Sequence, residues 1–153
     1  MSEKNKSIFN QHDAQEFVDR INKLTPISQH IWGNMTVSQM LAHIQQPIRV
    51  ALNEYKPKRT IIGILFGGIA KKRLVNPKPF KQNLPTDASF VIHNDRNFED
   101  EKKKAIELVL ALSKTGPDGV TKDKHPFFGK LTPEEWDTLT VKHLDHHLRQ
   151  FGV

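Results

Sequence analysis

Apolar residues recur along this chain at helical spacing, in blocks set apart by proline-bearing segments. Phe17, Val18, Ile21 and Leu24 share one helix face, predicting a first helix over about residues 10–24, closed by Thr25-Pro26. Thr36-Val37-Ser38-Gln39 fits a capping box and opens a second helix with Val37, Met40, Leu41, Ile44, Ile48 and Ala51 along one stripe. Pro47 lies inside that stripe and is expected to kink the helix or end it early. The most apolar run, IIGILFGGIA, suggests a short buried helix over residues 61–74. Residues 76–94, with Pro77, Pro79 and Pro85, read as a long ordered loop. Another helix is expected over about residues 97–114, stopped by Gly116-Pro117. Thr132-Pro133-Glu134-Glu135 then sets a threonine N-cap, a proline at N1 and a glutamate at N3, and the pattern continues to about residue 150. There is no repeat, low-complexity tract or strand series. The expectation is one all-α domain over residues 1–153, an antiparallel four-helix bundle with long crossover connections.

The last helix carries the candidate chemistry. At 100° per residue from Trp136, the apolar residues Leu139, Phe151, Leu144, Leu148 and Val141 fall between about 300° and 140°, and His143 and His147 fall inside that arc at about 340° and 20°. Lys142, Asp145, Arg149 and Thr138 occupy the opposite side, read as the wet face, with His146 at the border. Two imidazoles at i and i+4 on a buried face can hold one metal ion; they can equally be core histidines bonded to backbone or water. On the second helix His43 falls at the edge of the stripe beside Met40, where it could face a bundle cavity or solvent. With His143 and His147 it would make a three-nitrogen site with open positions.

The other histidines are weaker candidates. His12 lies in a polar stretch, His30 precedes Ile31-Trp32-Gly33 and could pack on the second helix, and His93 lies at a loop boundary. His125 opens the compact aromatic loop HPFFG, which could be packing, wall a pocket or supply an acid–base group. His146 could replace His147 or hydrogen-bond behind it, and Gln150, on the same face, could contact a water at the metal.

Composition narrows the classes. With no cysteine, disulfide scaffolds, thiolate metal sites, catalytic thiols and iron–sulfur clusters are excluded. The polar opening residues do not form a secretory signal, and the apolar run is too short to span a bilayer, so a cytoplasmic protein is expected. The formal charge of +6 raises nucleic acid, but no zinc-finger spacing or RNA-recognition signature accompanies the basic residues, so no specific nucleic-acid partner is expected.

Trp32-Gly33-Asn34-Met35-Thr36, Gln39-Met40-Leu41-Ala42-His43, HPFFGKLTPEEW and KHLDHHLRQFGV together resemble the DinB-like superfamily, in particular its branch marked by HPFFG and HLDHHLRQF. The resemblance runs from Trp32 to Val153. It implies a four-helix bundle holding one divalent metal through His43, His143 and His147. Characterised relatives include bacillithiol-dependent S-transferases and a mycothiol-dependent isomerase. The resemblance therefore implies a metal-dependent transferase or hydrolase that activates a thiol or water. The metal would be zinc, nickel or manganese, with a low-molecular-weight thiol as a possible cofactor and an anionic or electrophilic small molecule as substrate. The alternative is a non-catalytic bundle acting through a homodimer, a partner or a membrane surface, suggested by IIGILFGGIA between KPKR and KKR.

Overall fold

The computed structural model describes residues 6–153, and among these residues there are five α-helices and no strand. They are α1 (Gln11–Asn22), α2 (Val37–Ala51), α3 (Ile61–Leu74), α4 (Phe98–Thr115) and α5 (Pro133–Gln150). Four of them form the bundle: α1 packs on α4 and α5, and so does α2. The long link between α2 and α4 carries α3 and a one-turn 3-10 helix at Ala88–Phe90.

Local chemistry sets the helix starts. Thr36 and Thr132 each accept a backbone N–H from the residue three on, while Gln39 and Glu135 return the bond to the cap's own N–H. These two capping boxes fix where α2 and α5 begin. Asn10 and Asn97 cap α1 and α4 in the simpler way. The core between the helices holds Phe17, Ile21, Met40, Leu41, Ile44, Leu112, Trp136, Leu144 and Leu148.

Three expectations need correction. Of the two outcomes expected at Pro47, early termination does not occur, because α2 continues to Ala51. Proline in a helix interior costs about 3 kcal/mol or more, but Pro47, Ile48, Val50 and Ala51 are all buried, and their packing outweighs the lost bond. The helix over residues 61–74 forms but is not buried: Ile61, Ile62, Ile64, Leu65, Phe66 and Ile69 all face outward. The reason is steric. Its inward residues are Gly63, Gly67 and Leu74, and the two glycines sit directly on the backbone of Pro126 and Phe127, leaving no room for a larger side chain at either position. Asp145, placed on the wet face by helical angle, is buried under α1, where Arg20 reaches it at 3.0 Å and also donates to the Val153 carbonyl. Lys142 is likewise held to the fold, donating to the carbonyls of Leu74 and Asn76.

Candidate metal centre

The sequence fold brings α2 against α5, and with that one contact His43 meets the pair on the last helix. His43, His143 and His147 form a group whose ligand nitrogens all lie within 4.8 Å of one another. The Nε2 atoms of His43 and His143 are 3.0 Å apart. His43 and His147 are buried, and His143 is half-buried.

The outer nitrogens are already committed. His43 Nδ1 lies 2.9 Å from the carbonyl oxygen of Phe90. A carbonyl only accepts, so Nδ1 carries the proton and donates, and the Nε2 lone pair of the neutral ring is left bare. His147 Nδ1 lies 2.8 Å from Gln150 Oε1, and the Gln150 amide nitrogen donates to the Trp32 carbonyl at 2.7 Å. Gln150 is thus oriented from outside, and presents its oxygen to His147. His147 is then an Nδ1–H donor with its Nε2 free as well. This is the usual arrangement behind metal-ligating histidines, where an outer acceptor fixes tautomer and ring orientation.

Burial keeps the three rings neutral. Desolvation lowers the pKa of His43, and the Phe90 carbonyl offsets only part of it. His143 is held well below the ordinary imidazole range by burial and then by its histidine neighbours. His147 is lowered to about 3, again chiefly by burial. Near neutral pH the cluster therefore offers lone pairs rather than N–H⁺ groups. Tetrahedral zinc with N ligands at about 2.0–2.1 Å sets neighbouring nitrogens about 3.3 Å apart, close to the His43–His143 spacing of 3.0 Å. The donor set fits a divalent transition metal.

The remaining candidates take other places. His146 stands edge-on to His147, Trp32 and Phe80, half-buried and outside the ligand group. Gln150 contacts His147 and the Trp32 carbonyl, so its position is behind the ligand. His125 is buried against Trp136, Phe128 and Phe90. Its Nδ1 accepts the backbone N–H groups of Phe127 and Phe128, and its backbone bridges to Gly129, so it holds the HPFFG loop closed. Burial lowers its pKa to about 4; the Asp87 carboxylate raises it by less, and the Arg59 cation lowers it further. His12 and His93 are exposed, and His30 packs edge-on to Phe151 while bonding the Met35 carbonyl. His12 also groups with Asp13 and Glu16, on an exposed surface of α1.

Two contributors were invisible to sequence reasoning, the carbonyls of Phe90 and Trp32. Backbone acceptors carry no residue signature. The nearest local sign is Asp87, which caps the 3-10 turn through Ser89 and so sets the Phe90 carbonyl.

A family model described as a protein of unknown function (DUF1569) matches residues 3–152, nearly the whole chain including every residue of the cluster. The chain belongs to this DUF1569 family. No curated protein and no solved structure matches it.

Proposed function

We propose that this DUF1569 protein is a divalent-metal protein of the DinB-like type, with His43, His143 and His147 as its ligands. The observation that carries the reading is the commitment of the outer nitrogens. Phe90 and Gln150 fix the Nδ1–H tautomers of His43 and His147, and the Nε2 atoms of His43 and His143 meet at 3.0 Å. Two bare lone pairs cannot share that contact. It is satisfied by a proton on His143 or by a cation between the rings, and the third imidazole alongside favours the cation.

The chemistry follows from the ligand charge. Three neutral imidazoles leave the full +2 on a bound ion, which supplies Lewis acidity and lowers the pKa of a thiol or water in an open position. The chain's own part is to hold three nitrogens in one geometry, keep them unprotonated and supply a dry wall. Trp32 and Phe80 stand edge-on to His146, which in turn stands edge-on to His147. We assign the activity to a transferase or hydrolase acting on an electrophilic or anionic small molecule, with a low-molecular-weight thiol as the candidate nucleophile. Zinc, nickel and manganese are the candidate ions; the all-imidazole set suits zinc or nickel better than manganese, which prefers oxygen ligands.

The test is elemental analysis of untagged protein purified without chelator, beside His43→Ala, His143→Ala and His147→Ala. Near one equivalent of metal, lost in each variant, is the expected result. Negligible metal that titration fails to restore would overturn the reading.

A further inference from the structure

Helix α3 is built inside out. At 100° per residue from Ile61, Gly63, Gly67, Ala70 and Leu74 fall between about 180° and 240°. That side meets the Pro126–Phe127 backbone, and a Cβ at Gly67 would collide with the Phe127 carbonyl oxygen. Ile61, Ile62, Ile64, Leu65, Phe66 and Ile69 occupy the arc from about 300° through zero to 140°. Their exposure runs from 55% at Phe66 to 75% at Ile61. A surface helix of a globular protein normally turns its large apolar residues inward, and contiguous outward apolar patches mark interaction sites. Lys72 and Arg73, both exposed, extend the same arc at about 20° and 120° one turn further on.

The segment that carries this face is one-sided in charge. Residues 55–86 contain eight of the 23 Lys and Arg and none of the 17 Asp and Glu, so the segment carries +8 and the rest of the chain −2. Lys71 is drawn inward to Glu135 and the Lys130 carbonyl, and Lys56 pairs with Asp123. Lys58, Lys72, Arg73, Lys78 and Lys81 make no ion pair among the described residues. A second copy of the chain docking symmetrically on this face would bring two acid-free cationic segments together. An anionic lipid surface complements both features, taking the aliphatic side chains into the acyl boundary and the cations at the headgroups. No helix among the described residues is long and apolar enough to cross a membrane, so attachment is in plane.

We propose that the outward face of α3 docks on an anionic membrane surface, with Ile61, Ile62, Leu65, Phe66 and Ile69 inserted and Lys72 and Arg73 at the lipid headgroups. The proposal is independent of the metal site. The test is co-sedimentation of the full chain with vesicles of phosphatidylcholine alone or with about 30 mol% phosphatidylglycerol, repeated at about 0.5 M salt. The protein is expected to pellet with the anionic vesicles, to stay in solution with the neutral ones, and to be released by salt. Leu65→Asp with Ile69→Asp abolishes the binding. Lys72→Ser with Arg73→Ser weakens it about 30-fold, at two surface cations removed. All four positions are exposed, so helical circular dichroism and metal content stay as in the parent chain and separate lost docking from lost fold. Three results overturn the proposal. One is a chain that ignores anionic vesicles. Another is binding that survives Leu65→Asp with Ile69→Asp, which reduces it to charge alone. The third is a dimer in sedimentation velocity that this double substitution dissociates, with no vesicle binding, which gives the face to a second copy.

Discussion

Replacing Gln150 with alanine tests the candidate centre from behind. Gln150 is buried and makes two side-chain hydrogen bonds, one with His147 Nδ1 at 2.8 Å and one to the Trp32 carbonyl at 2.7 Å. Truncation leaves a buried N–H and a half-buried carbonyl without those partners, at about 1–3 kcal/mol each at most. Allowing for partial relaxation, the loss of stability should be about 2–4 kcal/mol, read from urea unfolding in the presence of chelator so that no metal contributes. The second effect concerns the ligand. Outer-partner mutations cost about 10–100-fold in metal affinity, measured by competition with a chromophoric chelator. Gln150→Glu separates the two effects. A carboxylate still accepts from His147 but sets an oxygen against the Trp32 carbonyl, so stability falls while affinity is kept or rises. If Gln150→Ala binds metal as tightly as the parent chain, Gln150 does not orient His147, and the tautomer argument for that ring fails.

Further outcomes follow from other parts of the structure. His125 has a folded pKa of about 4 against an ordinary 6.5. The unfolded chain therefore takes up the proton first, and stability is full above about pH 6.5 and falls towards pH 4. At pH 5 His125 alone removes about 2 kcal/mol, seen as a lower urea midpoint in chelator; His125→Gln, which lacks the titration, should lessen the pH dependence by that share, the cluster histidines supplying the rest, and an unchanged slope would contradict its burial as a neutral ring. Gly67→Ala drives a Cβ into the Phe127 backbone and should cost about 1–3 kcal/mol by overpacking, whereas Gly68→Ala meets open space and should stabilise the helix by up to about 1 kcal/mol. Equal thermal shifts for the two would show that α3 does not rest on the HPFFG loop. Arg20→Ala leaves the buried Asp145, among the described residues, with the 3.6 Å ion pair to Arg149, and should cost about 3 kcal/mol by thermal unfolding; an effect under about 0.5 kcal/mol would place that pair at the solvated surface.

The helices were legible because their signals are local. A capping threonine answered three residues later by Gln39 or Glu135 specifies a helix start without reference to the rest of the chain. The i and i+4 spacing of His143 and His147 specifies a shared face for the same reason. Burial was less legible, since it depends on what arrives from elsewhere. Asp145 lies opposite the apolar arc of its own helix, yet α1 covers it and supplies Arg20. Residues 61–74 read as buried on hydropathy alone, but their glycines pack inward against the HPFFG loop and turn the large side chains out.

The sequence by itself determined an all-helical chain, the ends of its best-capped helices and a pair of imidazoles on one face of α5, because backbone capping and helical period act over a few residues. Tertiary structure alone decided that His43 meets that pair across 100 positions of sequence, and that the Phe90 and Trp32 carbonyls stand behind the cluster. It also decided that the most apolar helix faces outward. These are contacts between distant segments, set by which surfaces fit when the bundle closes, and no local pattern encodes them.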